Sequence, residues 1–428
     1  MKNLFKGADV KTEAVAGITT FLTMAYIVVV NPAILSTQGT GMSFNGVLTA
    51  TVLICSLMTL LMGLYAKLPF AVAPGMGLNA FFTFTIIMGQ QVPWPIALGM
   101  VFWSGVLFMI LSVSSVREAI ARAIPHELRI GAACGIGVFL SFIGLKSSGF
   151  IVSDPVTFVK FGNIGPEILL AIAGLGLTCF LMRKKNPFAF LAGISMITVG
   201  ALIFGLIETP KNMVSAPDFK SVFLKADILG ALKFIYIPAI ITLLFTDLFD
   251  SISTFVGVSQ AANMLDKDGN PKNLRKGLIV DALATLGSGL AGTSSGTTYI
   301  ESAAGIEAGG RTGLTSVFTA LCFLPCLFLA PLAGMVPAYA TAPVLVLVGA
   351  LMFRSITQLK HTTLENIVPA YLTTILIPLT FSITQGILWG FVSYVGLHVL
   401  AGKYKKVSSM LYALAGLSVI LLVIEHSR

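Results

Sequence analysis

Three carboxylates stand where a chain this oily should not hold them. Asp247 and Asp250 are three residues apart in Leu243-Leu244-Phe245-Thr246-Asp247-Leu248-Phe249-Asp250-Ser251. Helical spacing puts both on one face, with Thr254 one turn further. Glu301 closes the run Ser294-Ser295-Gly296-Thr297-Thr298-Tyr299-Ile300-Glu301-Ser302. An ionised side chain at a membrane centre costs at least about 2.5–3.5 kcal/mol, so it normally faces a cavity, a partner or a ligand. The chemistry open to such groups is to accept hydrogen bonds from N–H donors and to carry a proton. Asp281 and Glu307 complete a set of acids in the second half with few buried cations beside them. That imbalance implies shared protons or a bound positive species.

Each acid also has a plainer reading. Asp247 can simply bond a neighbouring helix. Asp281 follows Arg275 and Lys276 and can form a salt bridge or meet water. Glu307 precedes Arg311 by four residues, the spacing of an interfacial ion pair. Asn79, in Ala73-Pro74-Gly75-Met76-Gly77-Leu78-Asn79, can cap a half-helix starting at Ala80. Tyr26, Phe81, Phe82, Phe249 and Tyr299 lie near the suspected site, and aromatic walls beside carboxylates suit a planar heterocycle. The histidines are loop, tail or isolated residues (His126, His361, His398, His426), and the five cysteines show no metal-ligand spacing, so no metal or other cofactor is expected.

The elements that must position these residues are membrane spans. The 428 residues are 56% hydrophobic and 11% charged, with mean hydropathy +0.92. Soluble domains carry about 25% charged residues, so the class is a polytopic, all-α membrane protein embedded in the lipid bilayer. Apolar segments fall near 14–33, 46–65, 70–88, 94–113, 129–145, 166–182, 188–207, 234–258, 277–292, 295–307, 313–334, 341–355, 366–382 and 385–401, fourteen in all. The apolar run 409–425 reads equally as an added span or a peripheral helix. No cleavable signal peptide is evident after Lys2, Lys6 and Lys11.

The net charge of +9 reads as topology and gives no reason to expect a nucleic-acid partner. With the N-terminus inside, most Lys and Arg fall on inside segments, including Arg117, Arg122, Arg129, Arg183, Lys184, Lys185, Lys267, Lys272, Arg354, Lys360 and Lys403. Lys146, Lys160 and Lys211 fall outside, and Arg428 is undecided. This count requires the broken segments 70–88 and 295–307 to cross.

Seven plus seven spans is an odd-numbered repeat, so the halves must be inverted. Ala73–Asn79 then matches Ser295–Glu301, with Asn79 opposite Glu301. Non-helical backbone at membrane depth is tolerated only where it is buried or lines a cavity. The broken third and tenth spans therefore mark a binding site at mid-membrane, where main chain near Gly77, Leu78 and Asn79 and near Thr297, Thr298 and Tyr299 meets a ligand's rim.

These motifs resemble the nucleobase–cation symporter-2 superfamily (the nucleobase:ascorbate transporters), closest to its adenine/guanine/hypoxanthine permease branch, often called AzgA-like. The resemblance rests on Ala73–Phe82, Asp247–Ser251, Gly292–Ala303 and Gly309–Gly313, and runs from about Phe5 to about Lys406. It implies fourteen spans in two inverted repeats, with short β-strands in spans 3 and 10. It also implies a substrate-binding core domain (1–113 and 234–334), a gate domain (114–207 and 335–406) that often forms a homodimer contact, an inter-repeat loop (208–233) and a C-terminal apolar segment (407–428). Its substrate positions match Asp250, Glu301 and Asn79, and its ninth-span position matches Asp281. The uracil and xanthine branches carry Glu in span 8, some with His one turn later, where this chain has Asp250 and Thr254.

The expected activity is proton-coupled import of purine nucleobases across a bacterial cell (inner) membrane, with the N-terminus cytoplasmic. Expected substrate-binding residues are Asn79, Asp250, Glu301, Gly77, Leu78, Thr298, Tyr299 and Phe249. Glu301, Asp250, Asp247 and Asp281 are candidates for carrying the proton. A carrier of the same fold for uracil, xanthine or an anion such as sulfate is the alternative, and the paired acids argue against an anion. A membrane enzyme would need a nucleophile–base or metal constellation, which the sequence does not offer.

Overall fold

The computed structural model of the protein describes residues 9–114, 125–261, 264, 273–359 and 363–426. Of the residues named above, Lys2, Phe5, Lys6, Arg117, Arg122, Lys267, Lys272, Lys360, His361 and Arg428 lie outside them. The chain is mostly helical. Among the described residues, eight helices are long and apolar enough to cross a membrane, and shorter apolar helices stand between them.

The first half runs α1 (Val10–Met24), α2 (Ile27–Leu35), α3 (Phe44–Leu61), β1 (Val72–Pro74), α4 (Met76–Ala80), α5 (Trp94–Val113), α6 (His126–Ser147), β2 (Ile151–Asp154), β3 (Phe158–Phe161), α7 (Pro166–Arg183) and α8 (Ala189–Ile203). The second runs α9 (Ile237–Ala261), α10 (Leu274–Ala291), β4 (Gly296–Thr298), α11 (Ser302–Glu307), α12 (Gly313–Phe323), α13 (Ala330–Gly334), α14 (Ala338–Phe353), α15 (Leu364–Thr380) and α16 (Ile383–Leu400), followed by α17 (Ser409–His426).

The helices sort into two packed groups. In one, α5 lies on α10, α3 on α12, α1 on α12 and α9 on α5. In the other, α6 lies on α14 and α15, α7 on α8 and α14, and α16 on α15 and α6. These contacts come in matched pairs once the halves are superposed in chain order: α5–α10 answers α12–α3, α1–α12 answers α9–α5, and α7–α8 answers α15–α16. That is the signature of an inverted repeat.

Small residues let the helices cross closely, as expected where lipid supplies no hydrophobic drive for helix association. A Cβ at Gly105 on α5 would lie 2.4 Å from the Leu286 amide nitrogen of α10. A Cβ at Gly137 on α6 would lie 2.5 Å from the Gly349 carbonyl of α14. A buried carboxylate also fastens the first group. Glu13 on α1 is 3% exposed. It accepts from the amides of Arg311 (3.2 Å), Thr312 (3.1 Å) and Thr315 (3.1 Å), and from the Thr315 hydroxyl, at the start of α12. A negative charge is favoured at that helix end.

The broken spans meet. β1 and β4 pair antiparallel, with Val72 opposite Thr298, Ala73 opposite Thr297 and Pro74 opposite Gly296. The alignment that equates Ala73 with Ser295 also equates Pro74 with Gly296, so the local two-fold axis passes between these two partners.

Several expectations are corrected. α4 begins at Met76, with Gly75 at its N-cap, so Asn79 lies inside that helix and does not cap one at Ala80. Glu307 pairs with Lys185 (3.2 Å), while Arg311 donates to the carbonyls of Ile306 and Gly310. The chain after α6, between the apolar segments 129–145 and 166–182, forms the hairpin β2–β3. The segment between the halves lies along the first group, where Asp227 N donates to Pro95 O (2.8 Å) and Trp103 Nε1 to Ile228 O (2.9 Å). The C-terminal run is a helix, and its Leu421 and Leu422 pack with Leu388 of α16.

Gly105→Leu must push α5 from α10, because the obstruction is backbone. Overpacking of this kind costs about 1–3 kcal/mol, and a lower melting temperature of the purified protein in detergent is expected. An unchanged melting temperature would show that the two helices do not cross this closely. In the hairpin, the Asp154 carboxyl is held at about 2 by the Thr157 amide, the Lys160 ammonium and the Val156 amide. A carboxyl depressed in the folded state stabilises above its unfolded value of about 3.9, and that contribution fades as pH falls toward 2. Amide exchange over residues 151–161 should therefore hold its protection from pH 7 to about pH 4 and lose it below. Loss near pH 6 would contradict this assignment.

Candidate functional site

A cavity of about 160 Å³ opens between the two helix groups beside the paired strands. It is comparable to the roughly 150 Å³ cavity that accommodates benzene in an engineered protein core. The first group supplies Gly75–Leu78 and Thr297–Glu301, together with Tyr26, Phe249, Asp250, Ser253 and Thr254. The second supplies Arg129, Ala132, Ala133, Ile136, Val348, Met352 and Ile387. One wall is thus polar and acidic, and the other is apolar apart from one guanidinium.

Glu301 ends the tenth broken span, one residue before α11. Tyr26 holds it. This side chain sits at the break between α1 and α2, is 1% exposed, and donates from its hydroxyl to Glu301 Oε1 at 2.6 Å. Its ring leans on Phe190 at 4.8 Å between centroids. Asp250 lines the same cavity from α9, with no protein donor to its carboxylate among the described residues. Phe249 beside it lies nearly parallel to Phe245, at 5.9 Å and 11°. Two acceptor-only groups and an aromatic face therefore share one pocket.

The other acids lie behind the strands. Residues three apart on a helix diverge by about 60°, and that angle separates the aspartates of α9. Asp247 is fully buried and accepts from the Thr285 hydroxyl of α10, leaving Oδ1 without a partner. Asp281, also fully buried, accepts from Thr298 N (3.1 Å) and Thr298 Oγ1 (2.8 Å). It meets neither Arg275 nor Lys276, and it binds the outer edge of β4.

The structure therefore brings Gly77, Leu78, Phe249, Asp250, Thr298, Tyr299 and Glu301 to one cavity. Asn79 is not among its lining residues. It is fully buried, with Oδ1 accepting from the Ser294 hydroxyl. Tyr299 lines the cavity, and its hydroxyl donates to Pro74 O at 2.5 Å across the strand pair.

Two lining residues carry no strong signal in the sequence. Tyr26 is one aromatic among many, at a helix break with no Gly or Pro to announce it. Arg129 reads as one more inside cation, and only the tertiary packing of α6 turns it toward the site.

Residues 11–388 match the Permease family, the profile of nucleobase:cation symporter-2 proteins. The chain is 38% identical to the adenine permease AdeP of Escherichia coli, across 97% of this chain and 94% of that protein. It is 37% identical to the guanine/hypoxanthine permease PbuG of Bacillus subtilis, across 97% of each. Among solved structures it is similar to the transmembrane domain of the cyanobacterial bicarbonate transporter BicA, with a TM-score of 0.67 at 17% identity over 90% of this chain and 98% of that one. That likeness is one of fold, the seven-plus-seven inverted repeat. The protein is a transporter and not an enzyme. By match length and identity alike, the chain belongs to the nucleobase–cation symporter-2 family of permeases.

Proposed function

We propose that this protein imports purine nucleobases by proton symport, through alternating access. The observation that carries the reading is the placing of Glu301 and Asp250 in one cavity with Phe249 and residues of both broken spans. Purines present ring and exocyclic N–H groups in one plane. Two carboxylates accept from such an edge, the turn at the start of α4 and the end of β4 meet the rim, and the aromatic face covers the ring. The adenine and guanine/hypoxanthine permeases among the relatives support the same substrate class.

In this reading the first helix group is the substrate-binding core and the second the gate, which also makes any homodimer contact. Gly77, Leu78, Thr298 and Tyr299 meet the base through main chain, and Asn79 holds the turn from behind through Ser294. Glu301 or Asp250 takes a proton from outside and releases it inside, which drives uptake. Asp247 and Asp281 serve as buried relays or supports. The N-terminus is cytoplasmic and the location a bacterial inner membrane. An anion substrate of the kind named for the BicA fold is disfavoured here, because two carboxylates on the cavity wall repel it.

Glu301→Gln keeps size and one acceptor but removes the charge. Uptake of labelled purine in cells should fall to background or lose its sensitivity to a protonophore, at normal membrane abundance; undiminished, protonophore-sensitive accumulation sinks the assignment. Tyr26→Phe removes one hydrogen bond to a charged group, worth about 1.5–3 kcal/mol. The KM for purine uptake should rise about tenfold or more, and an unchanged KM would show that Tyr26 does not set the Glu301 carboxylate.

A further inference from the structure

Among the described residues lining the cavity, Arg129 is the one cation. It stands on α6 two turns before Ile136, about 10 Å along the helix, and Ile136 touches α4 at Gly77. The guanidinium is half-buried, and its Nε is buried with no hydrogen-bond partner. Glu127, two residues before it, lies close enough to act on its charge, and its Oε1 also accepts from Asn366 Nδ2 at 3.4 Å. The residues that enclose Arg129 on its other side are Leu128, Ala132, Phe249, Thr373, Ile387 and Phe391, which bring it no carboxylate.

An arginine has five donors and no acceptor. Its Nε is closed off from the cavity, so donation to a ligand there must come from the less buried part of the side chain. When ionised, the acids opposite are acceptors only. The cavity is therefore polarised, with acceptors on the α9 and β4 side and a donor fork on the α6 side. A ligand that satisfies both sides must carry N–H groups on one edge and paired acceptors on another.

We infer that Arg129 is the specificity-determining residue that reads the acceptor edge of the base, and that it makes this a site for 6-oxopurines in preference to 6-aminopurines. The inference rests on the purine reading above and narrows it. A 6-oxopurine presents O6 and N7 side by side, the pair that a guanidinium engages with two parallel hydrogen bonds. Adenine presents N7 beside an amino donor, which an arginine cannot accept and a glutamine side chain can match. One good bidentate pair discriminates by roughly 10- to 100-fold.

The test is competition uptake in cells with hypoxanthine, unsubstituted purine and adenine, on wild type, Arg129→Gln and Arg129→Lys, each normalised to membrane abundance. Wild type should prefer hypoxanthine over both unsubstituted purine and adenine, by about 10- to 100-fold over adenine. Arg129→Gln should lower the hypoxanthine-to-adenine ratio of kcat/KM by at least about tenfold, and Arg129→Lys should keep much of it. A wild type that prefers adenine, or a glutamine variant that loses both substrates equally, overturns the inference. The wild-type series needs no variant to fold. A wild type that takes up no purine removes the purine reading itself, whereas a preference for adenine removes only the role of Arg129.

Discussion

The structure depends on satisfying the main chain where two spans stop being helical. An unpaired amide or carbonyl in hydrocarbon costs several kcal/mol, and no water is at hand to offset it. β1 and β4 pair their inner edges with each other. Gly75 N continues the ladder to Ser295 O, and Tyr299 N to Ala71 O, both at 2.9 Å. The outer edges are met by side chains. Thr59 of α3 both donates to Val72 O and accepts from Val72 N. Asp281 and Thr285 of α10 do the same work for Thr298 N and Gly296 O. Neither half of the chain can close this account alone, since each would leave a strand edge open inside the membrane. The inverted repeat is thus a condition for having broken spans at all.

That constraint sorts the acids. A carboxylate buried among helices must be neutral, paired or richly bonded. Glu13 is richly bonded at the head of α12. Asp281 is occupied by Thr298, and Asp247 by Thr285. These three fasten elements of the first helix group to one another. Glu301 retains one protein donor, from Tyr26, and Asp250 none among the described residues, so their remaining acceptor capacity points into the cavity. Asp247 and Asp250 differ in nothing but a small angle on one helix, yet one faces α10 and the other the cavity.

Much of this was legible in the sequence because the physics is local. Long apolar runs mark spans, and Pro74-Gly75 and Gly296 mark the two breaks, since proline and glycine are poor helix formers at any depth. Matching the two breaks was enough to put Pro74 with Gly296. The acids were conspicuous because they are expensive in lipid. What stayed hidden depends on angles and distant partners. Asp247 and Asp250 share a face at the resolution of a helical wheel, and only packing separates them. Glu13 carries no sequence signal of its role, because its partners lie some three hundred residues away. The hairpin β2–β3 has no Asn-Gly or Asp-Gly turn to announce it, and Asp154 closes it instead with bonds to the Val156 and Thr157 amides.

The same geometry limits how the two groups can move. At mid-membrane they touch where α4 meets α6, and a Cβ on Gly77 would lie 2.6 Å from Ile136 Cγ2. The polar strand pair belongs wholly to the first group, with its hydrogen bonds closed within that group. The facing wall of α6, α14 and α16 is apolar except at Arg129. Sliding such a wall past the strands breaks dispersion contacts, each of only about 0.1–0.2 kcal/mol per atom pair, and no backbone hydrogen bond. In the proposed cycle a polar ligand has most of its partners on the first group, with Arg129 the one polar contact offered by the second. The proposed division, with a hydrogen-bonded group carrying most of the ligand's partners and a largely apolar group moving across it, is thus compatible with how the broken spans are satisfied.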